Sequence, residues 1–232
     1  MARPSPSEIS RRSAFAALRA GLGPALAAPR SRPEDLLPAK VPALDRLIGG
    51  GFPRGTLVTL EGRAGRWSIA ARLVAVATSR STAAVIDDGG LYPPALASAG
   101  ARLERVLIVP ARSPLAAARA ADILLRSRAC RLVLMPAPDL RPAIWMRLSS
   151  LANRTGVVLV AIAPSGTNAA IALAAAAGMR LHCTRERPAA AGNGGLWCRF
   201  YGYTVCTELR KHRTPVSGSR AYLQAIDDVA LR

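Results

Sequence analysis

VPALDRLIGGGFPRGTLVTLEGRAGRW, residues 41–67, is the stretch on which the fold turns. PALDRL reads as a short helix ended by three glycines, Gly49 to Gly51, where left-handed backbone costs little. TLVTLE (56–61), with Leu57, Val58 and Leu60 among β-favouring threonines, reads as a buried strand. Gly62, Arg63, Ala64, Gly65 and Arg66 form a glycine loop, and WSIAARLVAVATSR then repeats apolar residues at helical spacing. A strand, a glycine loop and a helix in succession place loop amides at a helix N-terminus. That geometry suits an anion.

The same alternation continues outward. AAVID (83–87), RVLIV (105–109), RLVLM (131–135) and VVLVAI (157–162) read as strands, with helices around 94–100, 113–128 and through Trp145 and Leu151. Strands alternating with helices predict an α/β fold whose mostly parallel sheet is covered on both faces. PSGTNAAIALAAAAG (164–178) reads as the loop after the fifth strand. After Gly178, MRLHCT, LWCRFY and YTVCTELR interleave apolar and polar residues between turn-rich stretches, so C-terminal antiparallel hairpins are expected. The organisation predicted is a basic arm over 1–40, a core over 41–209 and a basic tail over 210–232. Within the arm, Glu8 to Leu18 reads as an amphipathic helix with Ser7 as N-cap and Ile9, Phe15 and Leu18 on its apolar side. That side suits docking to a partner, and equally packing on the chain's own domain.

Half the residues are hydrophobic and few are aromatic, so the core is built from Ala, Val, Leu and Ile. The net charge of +18 favours polyanions or acidic proteins as partners. Lys40 and Lys211 are the only lysines, so the positive charge is almost all arginine. Arg210, Lys211 and Arg213, with His212 and Arg220, form the most basic local cluster and the candidate contact for DNA or a partner. The cysteines, Cys130, Cys183, Cys198 and Cys206, form no C-x-x-C pair, and His182 and His212 do not supply zinc-ligand spacing. Reduced structural cysteines and a cytoplasmic location follow, with no metal expected. The apolar run from Asn168 to Met179 is too short to span a bilayer.

The glycine loop departs from a working nucleotide site. A phosphate-binding loop of the G-x-x-x-x-G-K-[ST] type needs its Lys for the terminal phosphates and its hydroxyl for magnesium. Here the spacing between glycines is two residues shorter, Arg66 stands where Lys belongs, and Trp67 stands at the hydroxyl position. Two readings stay open. The loop is a packing turn with Trp67 filling the nucleotide's space, or Arg63, Arg66 and the amides hold an anion.

Residues 41–62 resemble the segment that opens the ATPase core of RecA-family recombinases. Leu44-Asp45, Gly49 to Gly51, Pro53 and Gly55 carry the likeness. The resemblance implies a RecA-like core. It aligns Gly89 in AVIDDGGLYPP with the catalytic Glu of that family and Asp87 with a structural Asp. It aligns Pro136 with the magnesium-organising Asp and Ala163 with the γ-phosphate-sensing Gln. The catalytic Glu, the magnesium-organising Asp and the γ-phosphate-sensing Gln are therefore absent, and phosphoryl transfer depends on them. A short, basic RecA-like chain of this kind is similar to the ImuA family, also described as SulA-like. That resemblance implies a non-catalytic accessory of SOS-induced translesion synthesis, without a cofactor. Its implied partners are RecA and a polymerase-like protein of the Y family. The alternatives are a SulA-type inhibitor of cell division and a DNA-binding RecA paralogue.

Overall fold

In the computed structural model, residues 33–191, 199–211 and 219–226 are described. Ile9, Phe15 and Leu18, with His212 and Arg213, lie outside them. The chain divides into Met1–Ser31 and Arg32–Arg232, and the second unit carries the fold.

The opening segment gives β1 (Leu36–Leu37), α1 (Pro42–Leu47), β2 (Phe52–Pro53) and β3 (Leu57–Gly62). The glycine loop leads into α2 (Arg66–Arg80). Then come β4 (Ala83–Asp87), α3 (Pro93–Ser98), β5 (Val106–Pro110), α4 (Pro114–Ser127), β6 (Leu132–Pro136), α5 (Pro142–Thr155) and β7 (Val158–Ala163). The chain continues through α6 (Asn168–Ala176), β8 (Met179–Ala191), β9 (Arg199–Lys211) and β10 (Arg220–Ile226). Eight strands form one sheet in the order β10-β9-β8-β3-β7-β6-β4-β5. From β8 to β5 neighbouring strands are parallel, and β9 and β10 extend the sheet antiparallel.

Burial explains the layering. Every residue of β3 is buried, as expected of the strand read there, Thr59 and Glu61 included. Val58 and Leu60 face one core with Ile69, Leu73, Val74 and Ala77 of α2. Leu57 faces the other, with Leu124 of α4, Trp145 and Leu148 of α5 and Leu173 of α6. The α/β architecture with C-terminal antiparallel strands is the one expected.

Three boundaries differ from the sequence reading. Leu37 and Ala39, expected in the arm, are core residues at 4% and 0% exposure. The Asp45 carboxylate accepts a hydrogen bond from Ala39 N at 2.7 Å and ties the two segments together. Secondly, 164–178 is no open loop. Thr167 caps α6 by accepting from Ala170 N at 3.3 Å, and the alanine run then continues as helix, the conformation alanine most favours. Finally, β9 runs unbroken through Gly202, where two separate runs were expected. Arg220–Ile226, expected in a tail, pairs with β9 as an edge strand. Ladder pairing from both neighbours holds β9 extended across its glycine.

Candidate functional site

The glycine loop lies at the C-terminal end of β3, where α/β sheets present their ligands. Gly65 is the residue before α2 and adopts a left-handed φ of 81°; Gly62 has φ 129°. Both are pinned by the C-terminal strands. A Cβ on Gly62 would overlap the Cys183 carbonyl of β8, and one on Gly65 would overlap the Val205 methyls of β9. The Arg66 guanidinium folds back and donates from Nη1 to the Gly62 carbonyl, across the mouth of the loop. Its Nε is buried without a partner. Arg63 is exposed and Ala64 half-buried. Trp67 is 41% exposed, so it does not fill a former nucleotide space; as the second residue of α2 it points outward.

The other positions of the RecA comparison lie at or just beyond the C-terminal ends of β4, β6 and β7. Asp87 is structural: its Oδ1 accepts from Gly89 N at 3.0 Å and Leu91 N at 2.9 Å, closing the turn after β4. Gly89 has φ 107° with open space where a side chain would begin. Pro136 and Ala163 end β6 and β7.

The basic cluster is only partly assembled. Arg210 and Arg220 converge on Glu208, each 3.9 Å from its Oε2. Lys211 turns away and donates to the carbonyls of Ala174 at 3.2 Å and Ala175 at 3.3 Å, at the C-terminal end of α6. A cation there complements the helix dipole. Of the predicted cluster's described residues, Arg210 and Arg220 face a carboxylate and Lys211 caps a helix.

A polar cluster that the sequence did not signal sits on the same sheet. Glu61, 3% exposed, receives two parallel hydrogen bonds from Arg180, at 2.8 and 2.9 Å. His182 stands opposite Glu61 in the ladder, and its Nδ1 lies 3.3 Å from Ser165 Oγ. Burial, then the nearby Arg210 charge, holds the His182 pKa below its ordinary 6.5, against the opposing pull of Glu61 and Glu208. A lowered folded pKa means the unfolded chain takes up the proton first. The contribution of His182 to stability is therefore present above about pH 6.5 and lost as pH falls below it. Melting temperature is expected to decline between pH 7 and 5.5, with a shallower decline in His182→Gln. Equal slopes would assign the effect to other groups.

The cysteines among the described residues offer little reactivity. Cys130, Cys183 and Cys206 are buried free thiols, and burial pushes Cys183 up to about 12. Among the described residues, no group of three or more His, Cys, Asp or Glu is placed to hold a metal. No helix among them is long and apolar enough to cross a membrane.

The fold is RecA-like by its likeness to solved structures. The RadB recombinase superposes with a TM-score of 0.65 at 17% identity, covering 82% of this chain and 96% of its own. A KaiC-like protein from the hyperthermophilic archaeon Pyrococcus horikoshii OT3 gives 0.60 at 15% identity, covering 82% of this chain and 98% of its own. The chain belongs to the MT3502 N-terminal domain family, whose model matches residues 45–167. No curated protein sequence matches it.

Proposed function

We propose that this protein works by binding rather than catalysis. In this reading it is a cytoplasmic RecA-like accessory of SOS-induced, error-prone translesion DNA synthesis. It contacts a polymerase-like partner of the Y family and RecA, and it damps recombination by joining or capping RecA filaments. The supporting observation is the glycine loop. Its mouth is crossed by the Arg66 guanidinium, its glycines are packed against Cys183 and Val205, and no hydroxyl stands at the magnesium position. Gly89, Pro136 and Ala163 leave nothing to activate water or sense a γ-phosphate. The likeness of residues 41–62 to RecA-family proteins, and of a short, basic RecA-like chain with a degenerate loop to the ImuA type, supports the choice of pathway.

Calorimetric titration with magnesium and ATP is expected to give no saturable heat, and hydrolysis should stay at the buffer rate. Saturable binding with turnover would overturn the non-catalytic reading. Pull-down with RecA and with the polymerase-like partner tests the rest. Unchanged RecA strand exchange together with no retention of either protein would overturn it.

A further inference from the structure

In a parallel α/β sheet the helices end where the strands begin, so the end opposite the glycine loop collects helix C-termini and strand entries. The segments leading into β7, β6 and β4 (residues 152–157, 127–131 and 79–82) hold four arginines and no Asp or Glu. Arg154 lies in the last turn of α5, Arg128 follows α4, Arg131 precedes β6 and Arg80 ends α2. The strands β7, β6 and β4 are neighbours and begin level: Val158 pairs with Leu132, and Leu132 with Ala83. The backbone of Arg131 ties the three entries together. Its N–H donates to the Thr82 carbonyl at 3.0 Å, and its carbonyl accepts from Val158 N at 3.0 Å. The four arginines therefore stand side by side along one edge of the domain. Arg54 before β3 and Arg102 before β5 extend the row over five strands, about 19 Å at the usual strand spacing.

No local contact holds the four side chains. A cation at a helix C-terminus complements the dipole, and Lys211 shows the form that takes, with its ammonium on two carbonyls of α6. At the end of α2 that role belongs to Arg105, which donates to the Thr78 and Ser79 carbonyls at 3.4 and 3.3 Å. Arg80, Arg128 and Arg154 are exposed and Arg131 is half-buried, and none of these side chains makes an ion pair or hydrogen bond among the described residues. Arg128 also stands where helices usually place glycine. Its φ of 55° is left-handed, which strains a residue that carries a Cβ. Carboxylates flank the row without entering it. Glu104 lies beside Arg105 at the β5 end. Glu34 and Asp35 lie at the β3 end, where Arg54 N donates to the Asp35 carbonyl at 2.8 Å. Asp122 of α4 is held by Arg126 at 2.7 Å and Arg147 at 3.0 Å.

A row of unpaired guanidiniums fits an extended polyanion with regularly spaced charge. Over the length of the row a duplex presents about five phosphates per strand. The exposed aromatics Trp67, Tyr92 and Tyr222 begin α2, precede α3 and lie on β10, so none stands at this edge to stack an unpaired base. Nor do the three segments carry a large exposed apolar side chain on which a protein partner would centre; Leu103 lies beyond them, at the β5 end. We infer that this end of the domain binds the phosphate backbone of a nucleic-acid duplex without reading its sequence. Arg80, Arg128, Arg131 and Arg154 donate charge-assisted hydrogen bonds to successive phosphates. The surface lies at the opposite end of the strands from the glycine loop. The inference goes beyond the partner-binding reading and does not rest on it.

The test is fluorescence anisotropy of the full chain with two unrelated, labelled DNA duplexes of about 20 base pairs across a salt series. Both duplexes should bind alike, and log K should fall against log salt with a slope of about −3 to −4, the value for four neutralised phosphates. The triple variant Arg80→Gln, Arg128→Gly, Arg154→Gln should weaken binding by about tenfold or more and flatten the slope by about 2 to 3. Arg128→Gly alone relieves the left-handed backbone, so it folds at least as well as wild type and should still flatten the slope by about 1. Arg112→Gln, Arg119→Gln, Arg141→Gln removes the same charge from exposed positions elsewhere and should leave affinity within about twofold. Equal losses from the two triple variants would reduce the effect to net charge and overturn the proposal. So would no binding by wild type, or a loss seen only on Arg210→Gln with Arg220→Gln. Tighter binding of single strands of the same length would overturn the duplex as occupant. Displacement of the duplex by polyglutamate at equal charge concentration would assign the row to an acidic protein. Pull-down of the partners proposed above is expected to be unchanged by the row variants, so either reading can fail without the other.

Discussion

Gly62→Ala is expected to destabilise the fold by about 4 kcal/mol, combining a non-glycine residue at strongly positive φ with overpacking against fixed backbone. The second contribution is the decisive one. At φ 129° any side chain is strained, but at Gly62 the new methyl would also overlap the Cys183 carbonyl of β8. That carbonyl belongs to a paired strand and has no rotamer by which to move aside. Gly89→Ala is the matched control. Its φ is 107°, yet nothing lies within 4 Å of the new methyl, so only the backbone cost of about 1–3 kcal/mol applies. Denaturant unfolding should show a much lower midpoint for Gly62→Ala with an unchanged slope, against a smaller loss for Gly89→Ala. Equal losses would mean that β8 yields and that the loop is not pinned. The comparison also bears on catalysis. A Glu at position 89 would have room but a strained backbone, and the loop cannot relax around a nucleotide without separating from β8 and β9. On the proposed non-catalytic reading, no single substitution therefore rebuilds a hydrolytic site.

The sequence carried the parallel core because each strand there has a local signature. The strand-like TLVTLE stretch, the alanine and leucine spacing of α4 and the proline starts of α1, α4 and α5 all agree with the tertiary structure. Two elements were misread where local rules conflict with pairing. Gly202 suggests a break, but neighbours on both sides hold β9 extended through it. PSGT announces a loop, and its threonine is also the cap of the helix that follows. The candidate site was legible only as a set of defects. The short loop and the missing hydroxyl are one-dimensional facts. The outward Trp67 and the inward Arg66 depend on which way α2 starts. Nor did RVLIV distinguish an edge from a central strand. Leu107 and Ile108 look like core residues until the sheet order ends at β5. The same limit hid Glu61, whose partner Arg180 is 119 residues away.

That pair yields the second large effect. Arg180→Ala is expected to cost about 3 kcal/mol, the lower end for removing one partner of a buried ion pair. Glu61 is 3% exposed and loses both of its hydrogen bonds at once, while water has little access to replace them. The reverse deletion is milder. The Arg180 side chain is 23% exposed and its long stem can carry the charge outward, so Glu61→Leu should cost about 1 kcal/mol. The double variant Glu61→Leu with Arg180→Met removes both charges and fills the same space. It should return close to wild type, because an apolar replacement avoids the desolvation that the pair must offset. With Arg180→Met as the second single variant, the double-mutant cycle then gives a coupling of about 2 kcal/mol or more. If Arg180→Ala costs no more than an exposed pair, about 0–1 kcal/mol, water reaches Glu61 and the junction of β3 with β8 is looser than its geometry. If the double variant is as damaged as Arg180→Ala, the charges themselves set the register between these strands. The second outcome would matter for the loop, because Glu61 immediately precedes Gly62. A slip of one residue between β3 and β8 would move the Cys183 carbonyl away from Gly62, and the loop would lose the contact that holds it closed.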